Sequence, residues 1–144
     1  MKLLDSTLAT PAENLACDEA LLDLCENERV EILRFWESRQ HYVVVGYGNQ
    51  IEREVNVEEC RRRGVPILRR CTGGGTVVQG AGCLNYSVIL KIEPDRPLKT
   101  VTSTNRFVME RNRAALASLF AKPRALSIEG CTDLALDGRK FSGN

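Results

Sequence analysis

The sequence predicts an α+β fold, a mixed and largely antiparallel sheet flanked by helices. Three observations carry that expectation. Apolar runs suited to strands mix with helical stretches without a regular βαβ alternation. The turn signal Asp137-Gly138 joins two short runs as a hairpin. Three stretches combine helical spacing with start or stop signals. No internal repeat, low-complexity tract or linker breaks the 144 residues, so the expectation is a single domain, 1–144.

Residues 1–6 read as a short strand. Thr10-Pro11-Ala12-Glu13 then starts a helix, with Thr10 as N-cap, proline at the first helical position and Glu13 completing a capping box. Leu15, Ala16, Ala20, Leu21 and Leu24 recur at helical spacing and carry it to about Cys25. Residues 31–36 and 42–45 read as strands, the second a β-branched run stopping at Gly46. Asn56 caps a short basic helix through Arg63, and Gly64 ends it. Residues 65–68 form a strand leading into Arg69-Arg70-Cys71-Thr72-Gly73-Gly74-Gly75. Strands over 76–78 and 84–92 flank Gly80-Ala81-Gly82. The loop 93–97 precedes a helix from about Thr104 to Phe120, with Val108, Ala115 and Leu119 on its buried face and Pro123 just past its end. Strands over 125–128, 133–136 and 139–141 complete the chain.

Composition excludes several classes. Twenty Lys and Arg against nineteen Asp and Glu leave a net charge of +1, so no global field draws the chain to nucleic acid or an anionic membrane. An anion must be caught locally. No apolar run approaches the ~20 residues of a membrane span. The start, Met1-Lys2-Leu3-Leu4-Asp5, meets an acid too early for a signal peptide. The expectation is a cytoplasmic protein without nucleic-acid or membrane partners. Six cysteines, at 17, 25, 60, 71, 83 and 131, include no C-x-x-C pair, and His41 is the one histidine. That pattern predicts free, largely buried thiols and no structural metal site. His41, just before a strand, reads as structural or surface.

Three glycines preceded by two arginines are the sharpest chemical feature. Glycine permits positive φ and close backbone approach, leaving N–H groups to cradle a phosphate or carboxylate. Arg70 can add a charged, bidentate contact to the same anion. The spacing is neither that of a P-loop, since no lysine follows Gly75, nor that of a dinucleotide fingerprint, since Thr76-Val77-Val78 is β-branched. A glycine-rich hairpin turn is the competing reading of these residues alone.

The run from Arg69 to Ser87, Arg-Arg-Cys-Thr-Gly-Gly-Gly-Thr-Val-Val-Gln-Gly-Ala-Gly-Cys-Leu-Asn-Tyr-Ser, resembles the R-R-x-x-G-G-G-x-V-x-H-x-x-G signature of lipoate–protein ligases. Asn14-Leu15-Ala16-Cys17-Asp18-Glu19-Ala20-Leu21 resembles their first-helix motif, and Asp137-Gly138-Arg139-Lys140-Phe141-Ser142-Gly143-Asn144 their D-G-[RK]-K-x-S-G-N motif. Leu33-Arg34-Phe35-Trp36 and Val44-Val45-Gly46 fit the strands between. The resemblance implies a catalytic domain like those of class II aminoacyl-tRNA synthetases and biotin synthetase. It implies that lipoate or octanoate and Mg-ATP form an acyl-adenylate, which then acylates a lysine of a lipoyl carrier domain. The E2 subunits of 2-oxoacid dehydrogenases and the glycine-cleavage H protein are the implied carriers.

By the same resemblance Lys140 is the catalytic residue, its cation meeting the adenylate at the reacting centre. Arg70, Gly73, Gly74, Gly75, Thr76, Val77, Gln79, Gly82, Asn85, Ser142 and Gly143 line the substrate and adenylate site. Arg139 reads as a surface charge, and Asp133 as a turn cap or a contact for the amine-bearing partner or a metal.

Two departures qualify the match. The family's usual histidine is here Gln79, followed by Gly80 instead of a frequent aspartate; glutamine can position a ligand but cannot titrate. The chain also stops inside a motif, at Ser142-Gly143-Asn144, so the expectation is a catalytic unit incomplete at its C-terminus. Two alternatives follow from relatives of the family. One is an ATP-independent octanoyltransferase with a cysteine nucleophile, for which Cys71 and Cys83 are nearby thiols. The other is a paralogue that binds lipoate or adenylate without turnover. Biotin–protein ligase is disfavoured because its G-R-G-R-x-G-R pattern is absent.

Overall fold

Two units, Met1–Lys91 and Ile92–Asn144, make up the computed structural model, which describes residues 1–120 and 125–144. The expectation for Pro123 lies outside the described residues.

In the first unit, β1 (Lys2–Asp5) leads into α1 (Pro11–Glu28), whose start is built as the sequence predicts. Thr10 accepts from the Glu13 N–H while the Glu13 carboxylate accepts from the Thr10 N–H. Strands β2 (Ile32–Glu37) and β3 (Tyr42–Val45) follow, then α2 (Ile51–Glu54), α3 (Val57–Arg63), β4 (Ile67–Arg69), β5 (Val77–Gln79) and β6 (Leu84–Ile89). Asn56 caps α3 through its side chain, and Gly64 closes it in the left-handed region. One sheet runs β1-β2-β6, with β1 parallel and β6 antiparallel to β2. The other runs β4-β3-β5, with β4 parallel and β5 antiparallel to β3.

The core of this unit has two parts. Cys25, Ile32 and Ile89 pack with Leu21 and Leu24 of α1. Trp36, Tyr42 and Val44 pack with Leu15 and Leu68. All four residues of β3 are buried, so the most β-branched run of the chain is its most enclosed strand. Through this core runs a wholly buried arginine. Arg34 donates to the backbone carbonyls of Ser6 and Asn14, to Asn14 Oδ1 at 2.6 Å and to Asp18 Oδ1 at 2.7 Å. Asp18 Oδ2 also accepts from the Trp36 indole. The first-helix motif is therefore, at Asn14 and Asp18, a pair of anchors for a buried cation, which would be costly if left unpaired.

The second unit holds α4 (Val101–Ala117), β7 (Leu126–Glu129), β8 (Asp133–Leu136) and β9 (Arg139–Gly143) in one antiparallel sheet. Asp137 and Gly138 both take positive φ, 50° and 76°, the pattern of a two-residue hairpin turn whose twist matches the strands. Beside it β9 carries a bulge, since Ala135 pairs with Lys140 and Leu134 with Ser142, leaving Phe141 as the extra residue.

Among the described residues four of the six strand pairings are antiparallel, as the sequence predicts. Other expectations are corrected. The long helix begins at Val101 because Thr100 and Ser103 cap each other; it does not wait for Thr104. Its buried position is Met109, with Val108 and Leu116 half-buried, while Ala115 is exposed and Leu119 is 75% exposed. Ala115 lies six residues from Met109, about 240° round the helix, and Leu119 lies beyond the last turn. Strand β6 stops at Ile89, and Ile92 is 77% exposed. All six cysteines are free, as expected, but Cys25 alone is buried and Cys71, Cys83 and Cys131 are exposed.

Candidate functional site

The glycine loop hangs between β4 and β5, and its conformation is set by side chains that reach its carbonyls. Arg70 donates from Nε and Nη2 to the Gly73 carbonyl, at 3.1 and 2.7 Å, and from Nη2 to the Gly75 carbonyl at 2.8 Å. Asn49 donates to the Gly74 carbonyl at 3.0 Å. All three glycine carbonyls are thus taken, whereas the three glycine N–H groups donate to nothing among the described residues. Arg70 therefore turns inward to shape the loop, and burial lowers its pKa.

Glu54 at the end of α2 braces the loop from outside, accepting from Asn49 at 2.9 Å and from the Thr76 hydroxyl. Arg69 donates from Nη1 to the carbonyls of Gly46, Tyr47 and Asn49, fixing the turn after β3. Gly46 and Gly74 meet face to face, and a Cβ on Gly46 would fall 2.1 Å from the Gly74 carbonyl oxygen. Gly74 has φ +97°, and a Cβ there would meet Arg70 Nη2 at 2.8 Å. At both positions the loop requires glycine.

Other expected site residues of this unit lie farther along the chain. Val77 begins β5 and is 45% exposed. Gln79 ends that strand directly opposite Tyr42 on β3, and the buried Tyr42 hydroxyl donates to its Oε1. Burial pushes the Tyr42 phenol up to about 12, with Cys83 and Asp18 adding to the rise. Gly82, at φ +86°, turns its N–H onto Glu37 Oε1 at 2.7 Å, and Asn85 donates to the Cys83 carbonyl. His41 is exposed at its backbone turn, its ring set where a Cβ on Gly80 would stand.

A groove of about 180 Å³ beside the loop is lined by Leu15, Ala16 and Glu19 of α1 and by Leu68, Arg70 and Cys71. The Cys71 thiol in it is not activated. Burial raises its pKa, and the Glu19 and Asp18 carboxylates raise it further despite the neighbouring arginine.

In the second unit, Lys140 pairs with Asp133 through a 2.7 Å contact between Nζ and Oδ2. The two-residue turn sets the register that places Lys140 opposite Ala135, on the face that Asp133 shares with Ala135, and the bulge beyond it turns Ser142 with Leu134 to the other face. A Cβ on Gly143 would lie 3.3 Å from the Lys140 amine, so that glycine leaves the amine room. Ser142 and Asn144 hydrogen-bond each other, and Asn144 reaches back to Thr132. Arg139 is exposed.

Sequence reasoning missed Glu54, Asn49 and Tyr42, whose partners lie 22, 25 and 37 residues away. Only the glycines at 46 and 48, just after a buried strand, hinted that a backbone approaches there.

Residues 10–144 match the model of the lipoyl protein ligase A/B catalytic domain. The chain is 37% identical over 103 residues to an Aeropyrum pernix protein provisionally named lipoate-protein ligase A, covering 70% of this chain and 39% of that one. It is 34% identical over 164 residues to the octanoyltransferase LipM of Geobacillus kaustophilus, covering 99% of this chain and 59% of that one. The solved structure of lipoate-protein ligase A bound with ATP superposes with a TM-score of 0.79 at 26% identity, over 99% of this chain and 59% of that one. A structure of a bipartite lipoate protein ligase and its E2 lipoyl domain from Thermoplasma acidophilum gives 0.74 at 29% identity, over 94% and 50%. The chain thus spans between 39% and 59% of the length of these relatives. Its α+β architecture is that of lipoate-protein ligase catalytic domains, like class II synthetases. By its motifs, fold and family match, the chain belongs to the lipoyl protein ligase A/B catalytic domain family, whose members are lipoylation ligases and octanoyltransferases.

Proposed function

We propose that this chain carries the adenylate-forming half of a lipoate–protein ligase. The observation that carries the reading is the glycine loop, with three carbonyls tied down and three N–H groups left to donate. Such a cradle suits an anion whose charge is in motion, because the donors are already oriented when the charge develops. In the first step an oxygen of the lipoate or octanoate carboxylate forms a bond to the α-phosphorus of ATP, and the bond to pyrophosphate breaks. In the second a neutral lysine amine of a lipoyl carrier domain forms an amide at the acyl carbon. AMP leaves, and the amine gives up a proton. Both reactants of the first step are anions, and the loop amides with the Arg70 charge offset their repulsion.

Lys140 would leave Asp133 for the acyl-adenylate, exchanging one anionic partner for another without an uncompensated charge. Ser142 and Gly143 shape the strand around it. Thr76, Val77, Gln79, Gly82 and Asn85 are the further ligand-facing candidates. Magnesium enters with ATP as part of that substrate, held mainly by phosphates and water. The E2 lipoyl domain named with the Thermoplasma ligase supports a lipoyl domain as the acceptor here.

The second reading, an octanoyltransferase, has in its favour the likeness to LipM over 99% of this chain and 59% of LipM. It needs a thiolate nucleophile, and the raised pKa of Cys71 tells against that candidate. Cys83 stays a candidate on position alone. The test separates the classes. A ligase exchanges labelled pyrophosphate into ATP when lipoate or octanoate is added. A transferase shows no exchange and accumulates an acyl-thioester with octanoyl carrier protein. A binding paralogue does neither.

A further inference from the structure

Gln79 stands where the lipoate–protein ligase motif it resembles has histidine, and the structure gives it a partner that decides how it can act. Tyr42 is wholly buried, so its hydroxyl proton needs an acceptor inside the protein. Its partner is Gln79 Oε1, directly across the β3–β5 ladder. A phenol that donates to the amide oxygen leaves the amide nitrogen facing the other way. Flipping the carboxamide would let Nε2 donate to the phenol oxygen but would strand the buried tyrosine proton. Gln79 Nε2 therefore presents its two N–H groups away from the core, where they meet no group among the described residues, and the side chain is half-buried rather than free.

We propose that Tyr42 is a positioning residue that locks Gln79 as a fixed, uncharged hydrogen-bond donor to the bound acyl-adenylate. Gln79 lies four residues beyond Gly75, at most roughly 13 Å along an extended chain. Its target is thus within reach of a ligand whose anion the glycine loop holds. An acyl-adenylate carries acceptors on either side of its phosphate. Because neither Gln79 nor the buried phenol titrates near neutrality, the contact keeps its strength where a histidine contact would switch. The proposal rests on the ligase reading for its ligand and adds to it the residue that orients the donor.

The experiment uses the full protein and the stable analogue octanoyl-sulfamoyl-adenosine, with affinities measured by calorimetry from pH 6 to 8. Tyr42→Phe is expected to weaken binding about three- to tenfold, and Gln79→Leu at least as much. In the Gln79→Leu background Tyr42→Phe should add little, since the two act as one unit. Wild-type affinity should show no step in this range, whereas Gln79→His should introduce one near pH 6.5. Gln79→Glu retains an acceptor for Tyr42 while removing the outward donor. It should bind at least tenfold more weakly at pH 8 even if Tyr42→Phe proves too unstable to assay. Unchanged affinity in Gln79→Glu, or additive losses in the double variant, would overturn the proposal.

Wild-type pyrophosphate exchange, run alongside, keeps the two claims apart. Exchange with additive losses removes the role of Tyr42 and leaves the ligase. Coupled losses without exchange remove the ligase activity and leave the positioning. Neither exchange nor binding removes both.

Discussion

An alanine at position 46 would put a Cβ 2.1 Å from the Gly74 carbonyl oxygen, and the obstacle is backbone that cannot rotate aside. Gly46→Ala should therefore displace the glycine loop. Overpacking of this kind typically costs about 1–3 kcal/mol, so a denaturant melt should show the loss while exchange activity falls with it. Gly74→Val should act more locally, forcing φ +97° on a branched residue and pushing Arg70 off the loop carbonyls. Its signature is weakened ligand binding. Lys140→Ala should do the reverse of Gly46→Ala. The lysine is more than half exposed, and an exposed ion pair is worth roughly 0–1 kcal/mol, so melting should scarcely move. Turnover should fall on the order of a hundredfold or more, as when an oriented electrostatic group is removed; near-normal turnover would remove Lys140 from the reaction. At this scale the sequence revealed the donors and hid their supports. Three adjacent glycines and a lysine in a motif are visible in one dimension. That Arg70 bends back to Gly73 and Gly75, or that Glu54 braces Thr76, depends on the path of the chain between β3 and β5.

Elements whose signals are local were legible. Thr10 with Glu13 set the start of α1, and Thr10→Ala should cost about 1 kcal/mol in a chemical melt. Asp137-Gly138 set the last hairpin, and both residues take the positive φ that this turn requires. Helix α3 was equally readable from Asn56 and Gly64, and it carries a pH dependence. Hydrogen bonds from Arg62 and Arg63 pull the exposed Glu59 carboxyl from 4.5 to about 2. A carboxyl lowered in the folded state contributes stability above its unfolded pKa, and that contribution is lost as pH falls through the folded value. The protection of the amides over residues 57–63, taken relative to their intrinsic exchange rate, should therefore fall between pH 4.5 and about 2, and Glu59→Gln should abolish the acid-dependent part. Helix α2 was illegible because Gln50 gives it no side-chain cap and four residues show no period. The start of α4 was misread because Ser103, not a later acidic residue, completes its box.

For the whole molecule, the irregular order of strands and helices was enough to predict an α+β architecture. It was not enough to predict that the strands of the described residues sort into three sheets and two units. Sheet membership depends on partners distant in sequence, such as β2 with β6, and a buried ion such as Arg34 is decided by the same long-range closure. Asp18→Ala would leave that arginine buried with part of its compensation gone. Breaking such a pair typically costs about 3–5 kcal/mol, so the variant should melt far below wild type, whereas Asp133→Ala, at a half-exposed pair, should not.

The proposed function rests on the family and on what the glycine loop offers, three N–H donors beside a guanidinium. The most direct measurement is the exchange of labelled pyrophosphate into ATP by the wild-type protein, with and without lipoate or octanoate. A ligase that builds an acyl-adenylate exchanges label only when the acid is present, and loses that exchange in Gly74→Val. Absence of acid-dependent exchange, with octanoyl carrier protein yielding a trapped thioester instead, would contradict the adenylate mechanism.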